Sequence, residues 1–358
     1  MTGALIAGQG EAAGAGATPP VARPRLGFLG VGWIGRHRME AIARSGAAEV
    51  AAIADPSAEN AAAARAALGD RARSVAVLDS LDALLDAGLD GLVIATPSAL
   101  HAEQSIAALE RGLAVFCQKP LGRTEPEVRA VVDAARRADR LLGVDLSYRF
   151  TEALQRLRAL VRAGELGRVY AADVVFHNAY GPDKAWFYDP ALSGGGCVMD
   201  LGIHLVDLAL WVLDFPAVEH VTSRLYAKGE PLAGRRDRVE DYAVARLDLA
   251  GGASVRLACS WNLPAGADAV IEASFFGTAG GASLRNANGS FYDFHAERFR
   301  GTSRETLCGP PDEWGGRAAV DWARRLASGA RFDPAAERLV EVARTLDRIY
   351  AYEGHATP

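Results

Sequence analysis

The run Gly27-Phe28-Leu29-Gly30-Val31-Gly32-Trp33-Ile34-Gly35 constrains this chain more than any other feature. It sets a G-x-G-x-x-G fingerprint between an apolar stretch, Arg25 to Leu29, and a helical pattern, the context in which the motif binds a dinucleotide. Gly30 permits the tight turn, Gly32 lets backbone approach a pyrophosphate, and Gly35 lets helix and strand pack closely. Trp33 and Ile34 open the helix, whose free N–H groups face the phosphates. A second apolar run, Val50 to Ala54, ends in Asp55, twenty-five residues after Gly30, where a carboxylate can accept hydrogen bonds from ribose hydroxyls. Pro56 and Ser57 follow it, with no adjacent arginine for a 2′-phosphate, so NAD is favoured over NADP. The competing reading is a glycine turn and a helix-capping aspartate without ligand; a kinase loop or P-loop lacks its lysine partners here.

The rest of the front half has the same grammar. Short apolar runs at Ser74–Val77, Gly91–Ala95, Ala114–Cys117 and Leu141–Val144 alternate with helical segments such as Ala58–Leu68 and Glu127–Ala138. Six strands with crossover helices predict a doubly wound Rossmann domain with a parallel sheet. After Phe150 the pattern changes. Helices are expected at Leu154–Ala163 and Cys197–Leu213, but Val218–Phe294 is dominated by alternating strands, including a hairpin joined at Ala250-Gly251-Gly252. Helices at Ala318–Ala327 and Pro334–Tyr352 close the chain, the second capped by Asp333 with proline at its first position. The expected division is a disordered tail (1–23), the dinucleotide-binding domain (24–146), a substrate and oligomerisation domain with an open, mostly antiparallel sheet (147–330), and a terminal helical segment (331–358).

Composition removes several function classes. The net charge of -5 offers no general attraction for nucleic acid or anionic lipid. Four cysteines, at 117, 197, 259 and 308, lie at least 49 residues apart, which fits neither a disulfide framework nor a thiol metal site, so a reducing cytoplasm and no metal are expected. The most apolar stretch, Leu201 to Val212, is interrupted by His204 and Asp207, and no membrane span is expected.

Of 39 basic residues only three are lysine, at 119, 184 and 228. A lysine therefore marks places where a compact ammonium suits and a planar fork does not. Lys119 directly follows a buried strand, in Gln118-Lys119-Pro120, and its bond to proline is a candidate for the cis form. Thr96-Pro97 and His101 follow another strand end. Ligands of an open parallel sheet bind beyond the carboxyl ends of its strands, so both sets face the cofactor. For His101 a place on the helix surface is the competing reading. Further on, Gly194-Gly195-Gly196 opens a helix on which Asp200 and His204 stand four apart, in mutual reach. A carboxylate orienting an imidazole makes a general base; an ordinary helical ion pair is the alternative. Tyr148-Arg149 at the domain junction and Trp186 and Tyr188 ahead of the glycine loop fit either a substrate pocket or interdomain packing. The loop 234–238, rich in arginine, reads as a solvated hairpin tip, with recognition of an anionic group as the alternative.

Taken in order, the fingerprint, Ala95-Thr96-Pro97 with His101, Lys119-Pro120, and the glycine loop through Asp200, Gly202, His204 and Asp207 resemble the glucose-fructose oxidoreductase and inositol dehydrogenase (Gfo/Idh/MocA) family. The resemblance implies a Rossmann domain, a substrate domain whose open sheet often joins subunits as a homodimer or homotetramer, and a last helix returning to the first domain. It implies Lys119, Asp200 and His204 as the catalytic set. Gln118 stands where the family usually has glutamate, which removes a charge near the nicotinamide. The expected reaction is hydride transfer between a nicotinamide and a secondary alcohol of a sugar, cyclitol or related polyol. His204 would take the hydroxyl proton, Lys119 would stabilise the oxygen, and Asp200 would orient His204. A non-catalytic NAD-dependent sensor, or a lyase or hydrolase without net redox, are the alternatives.

Overall fold

The structure, a computed structural model, describes residues 23–351 apart from 233, 235 and 236. The expected tail except Arg23, the two central arginines of the 234–238 loop, and the chain beyond Ala351 lie outside the described residues.

Strands β1 (Arg25–Leu29), β2 (Glu49–Ala54), β3 (Ala76–Leu78), β4 (Gly91–Ile94), β5 (Ala114–Cys117) and β6 (Leu142–Val144) run parallel in the order β3-β2-β1-β4-β5-β6. They alternate with α1 (Trp33–Ser45), α2 (Ala58–Ala67), α3 (Leu81–Leu85), α4 (Ser98–Glu110) and α5 (Glu125–Ala138). Helices on both faces explain why β4 and β5 are buried at every position and read as plain apolar runs. The third strand starts two residues later than its sequence suggests. Gly69–Ser74 forms a 3₁₀ turn, and the strand behind it is a half-exposed edge with no strong apolar signal. The order reverses between β1 and β4, which opens the crevice where the fingerprint lies.

The second domain contains α6 (Glu152–Arg162), β7 (Val169–Asn178), α7 (Pro190–Ser193), α8 (Ile203–Val212) and strands β8 (Val218–Ala227), β9 (Glu230–Pro231), β10 (Tyr242–Leu249), β11 (Ser254–Ser260), β12 (Ala269–Gly277), β13 (Gly281–Asn286), β14 (Phe294–Arg300) and β15 (Ser303–Cys308). These form one nine-stranded sheet, β15-β14-β13-β12-β7-β11-β10-β8-β9, antiparallel except where β7 meets β11. Sheet structure therefore reaches well beyond the expected 218–294. The outer strands β14 and β15 are laden with charged residues, as solvent-facing edges are, and that charge hides their alternation. Every residue of α8 is buried beneath this sheet, His204 and Asp207 included, and the other eight are apolar. Pro190–Val212 is long and apolar enough to cross a membrane, but 94% of its most apolar window is buried inside the fold.

The boundary expected at 330 needs correction. Helix α9 (Arg317–Ala327) turns Ala318, Ala319, Trp322 and Ala323 onto the first domain's core, with the Trp322 ring 5.7 Å from Phe116. Two strand glycines make room for that indole: a Cβ on Gly91 or Gly143 would stand 2.9 or 2.8 Å from it. Helix α10 (Glu337–Ala351), entered through a 3₁₀ turn capped by Asp333, puts Val340 and Ala343 into the first domain's core and Val342, Leu346 and Ile349 into the second's. Trp322→Ala should cost about 3–5 kcal/mol of unfolding free energy in a urea titration, as for other large-to-small changes in a dry core.

Candidate active site

The fingerprint loop has the shape its sequence demands. Gly30 has φ +80, and a Cβ there would stand 2.6 Å from the Ala95 carbonyl oxygen; at Gly35 it would meet the Gly30 oxygen at 2.0 Å. Helix α1 begins after Gly32 with no side-chain cap and no acid in its first turn, so its N–H groups are left to a ligand. Half-buried Ile34 lies in that turn, and Trp33, 58% exposed, stacks on His37. Asp55, at the end of β2, accepts from the N–H groups of Val31 (2.7 Å) and Ser57 (2.9 Å) and from the Asn60 amide (3.2 Å), which fixes its carboxylate beside the loop. An uncapped helix start, a glycine cradle and a fixed carboxylate at a strand end suit a dinucleotide.

At the ends of β4 and β5, Pro97 caps α4 and the Thr96 hydroxyl donates to Gln104. His101 is 1% exposed, which corrects the reading that places it on the helix surface. Its Nδ1 lies 2.6 Å from the Pro120 oxygen and its Nε2 2.7 Å from the Thr96 oxygen, so a ring with both nitrogens spent on backbone braces the two loops together. Burial, above all, lowers its pKa. Burial likewise pushes the Cys117 thiol up to about 12, which disfavours a thiolate at this strand end. The Gln118 amide donates to Asp145, and the same Asp145 oxygen accepts from Arg38 Nε at 2.5 Å. The charge missing at position 118 is thus present next door: Asp145 is 1% exposed, and its other oxygen is buried without a partner.

The Lys119–Pro120 bond is cis. The Lys119 ammonium crosses to the second domain, where it donates to Asp200 Oδ1 (2.6 Å) and to the Asp200 carbonyl (2.7 Å). Trp261 Nε1 donates to the other carboxylate oxygen at 3.0 Å. Asp200 therefore does not orient His204, and that expectation is corrected. Val198–Gly202 is π-helical, which widens the turn by a residue, so positions four apart no longer stack. His204, 7% exposed, instead lies edge-on to the Tyr148 ring at 4.8 Å and near Phe176 at 6.5 Å. Burial, then the charges of Lys119 and Arg38, depress its pKa well below 6.5. Burial therefore favours the neutral imidazole, and the Lys119 ammonium is close enough to add to that effect.

Glu240 anchors the helix that carries these groups, and no periodic pattern in the sequence points to it. Its Oε1 accepts from Gly196 N (3.0 Å), Val198 N (2.9 Å) and the Tyr350 hydroxyl (2.8 Å). A Cβ at Gly195 would meet that hydroxyl at 2.0 Å, and one at Gly196 would meet the Glu240 carbonyl oxygen at 1.9 Å, hence the glycines. Arg149 bonds inward: its Nε (2.8 Å) and Nη2 (2.5 Å) fork onto Asp207 while the guanidinium lies over Trp211 and Phe215. Tyr148, by contrast, adjoins His204, and Asp200 is among the groups that raise its pKa, after burial. Tyr188, 45% exposed, meets the Trp261 ring edge-on at 5.6 Å, and Trp186 stacks on Phe187 at 3.8 Å. Trp261, which links Asp200 to these aromatics, carries no sequence signal beyond being one of six tryptophans.

Two families of known sequence match this chain: "Oxidoreductase family, NAD-binding Rossmann fold" over residues 25–146 and "GFO/IDH/MocA C-terminal domain" over residues 154–283. Rhizopine catabolism protein MocA of Rhizobium meliloti is 31% identical over 264 residues, 74% of this chain and 78% of that protein. D-glucoside 3-dehydrogenase of Escherichia coli is also 31% identical, over 61% of this chain, which spans 65% of that enzyme's length. Levoglucosan dehydrogenase in complex with NADH shares the fold, with a TM-score of 0.78 at 22% identity, covering 92% of this chain and 97% of that one.

Asp145→Ala should cost about 3–5 kcal/mol of unfolding free energy, because it strands the buried Arg38 guanidinium. A urea titration in which the variant loses less than about 1 kcal/mol would show that the pair is not the buried anchor of this loop.

Proposed function

We propose a reaction on one premise: the chain belongs to the Gfo/Idh/MocA family of NAD-binding Rossmann oxidoreductases. The reaction is hydride transfer between nicotinamide and a secondary alcohol or ketone of a sugar, cyclitol or related polyol. One observation carries it. An ammonium with two of its three N–H groups spent on Asp200 has the third left for a substrate oxygen, within electrostatic reach of a neutral imidazole.

When bound, the nicotinamide supplies the hydride acceptor or donor. The chain's own residues handle the proton. His204, held unprotonated by burial, is ready to take it from the substrate hydroxyl. Lys119 donates to the same oxygen and stabilises the negative charge that develops as the proton leaves. Asp200, fixed by Trp261, acts through Lys119 and is a positioning residue. Tyr148, Tyr188 and Trp261 supply the apolar walls usual in small-molecule sites. A polyol substrate is supported by the relatives' names, which speak of a D-glucoside and levoglucosan. The lysine and histidine brought together here favour catalysis over a sensor.

Self-association through the outward face of the second sheet is part of this proposal. Val175, Val244 and Ala258 form an apolar strip there, flanked by the Arg256–Asp173 and Arg246–Asp248 pairs. Light scattering should give a mass two or four times that of one chain, and a strict monomer would remove the idea.

Lys119→Met should lower kcat by about 10²–10³ and His204→Ala by about 10²–10⁴ in a polyol screen followed at the nicotinamide absorbance, with NADH still bound. Near-normal turnover in both variants would refute the roles. The acid limb of kcat/KM should lie below pH 6.5, because protonation of the depressed His204 removes the base; a limb above 6.5 would exclude His204 as that base.

A further inference from the structure

Lys184 lies in the loop between β7 and α7, in the second domain, and its side chain is exposed. A Cβ built on Gly32 would stand 3.8 Å from Lys184 Nζ and 3.9 Å from Asn60 Nδ2; chain neighbours aside, no other heavy atom comes within 4 Å. An ammonium from one domain therefore hangs over the fingerprint of the other. It faces the positive end of α1, which has neither a capping side chain nor an acid in its first turn. Asp55, the acid at the end of β2, accepts from Val31, Ser57 and Asn60. Lys184 makes no ion pair among the described residues. Two positive groups facing one another across an open gap repel unless an anion lies between them.

We propose that Lys184 is a cross-domain clamp on the cofactor pyrophosphate, closing over its oxygens from the side opposite α1. The proposal rests on the dinucleotide reading of the fingerprint. The choice of side chain fits, since the chain uses arginine at all but three of its 39 basic positions. A compact, rotatable ammonium suits a narrow space over a glycine better than a planar fork. Its loop is also held in place: Gly181 N donates to Asn262 Oδ1 (2.9 Å), the Tyr188 hydroxyl donates to the Pro182 carbonyl (2.9 Å), and Phe187 N donates to the Lys184 carbonyl (3.1 Å). The same loop continues into Tyr188, which packs on Trp261 and so on the support of Asp200. Binding at the phosphates thereby reaches the part of the second domain that positions Lys119.

The test is calorimetric binding of NADH and of ADP-ribose, which share the pyrophosphate, to the full chain carrying Lys184→Met, with Lys228→Met as a control at the third lysine. Both ligands should bind the Lys184 variant about tenfold more weakly, the loss expected for one charge-assisted contact, and the difference should shrink at high salt. The control should bind as the unsubstituted protein does. Hydrogen exchange should show residues 179–190 protected by ADP-ribose in the unsubstituted protein and unprotected in Lys184→Met. Affinity within twofold of the unsubstituted protein, or equal protection of the loop in both, overturns the clamp. Failure of the unsubstituted protein to bind NADH would overturn the dinucleotide reading itself.

Discussion

The ion pair between Lys119 and Asp200 spans 81 residues of sequence and joins the two domains at the point where their chemistry meets. Its geometry sets what each partner can do. Two of the ammonium's N–H groups are fixed by one residue's carboxylate and carbonyl, so its direction is set before any substrate arrives. A half-buried pair of this kind costs desolvation, and its attraction is useful where the rest of the structure over-determines the geometry. Here it does: Trp261 holds the second carboxylate oxygen, and Lys119 stands at the tip of a strand buried along its whole length.

The support extends outward on both sides. In the second domain, Glu240 gathers two backbone N–H groups and the Tyr350 hydroxyl, so α10, packed on both cores, also locks the start of the helix that carries Asp200 and His204. In the first domain, Arg38 and Asp145 form a buried pair that holds the Gln118 amide. Position 118 can therefore be neutral without leaving the region uncharged. The carboxylate has been supplied from the end of a neighbouring strand, and its guanidinium partner is also among the groups that keep His204 deprotonated.

Much of this site was legible in the sequence. The fingerprint, Asp55, Lys119, Asp200 and His204 were singled out as candidates by residue type and spacing, because glycine at a tight turn and a lone lysine after an apolar strand have few other uses. The partners that the sequence did not reveal have a common cause. Arg149 and His101 are polar residues near the site that bond inward, to Asp207 and to two carbonyls, and sequence spacing carries no information about the direction of a side chain. The four-residue spacing of Asp200 and His204 misled because it assumed a regular α-helix where the chain forms a π turn.

By itself the sequence determined the strand–helix alternation, the place of the glycine turn and which residues stand as candidates for acid–base work, since each depends on local periodicity or on chemistry belonging to one residue type. Which groups touch was decided only by the tertiary structure. Trp261 on Asp200, Tyr350 on Glu240 and α9 on the first sheet are contacts between segments tens to hundreds of residues apart. They arise from how two cores pack against each other, and no local pattern records that packing.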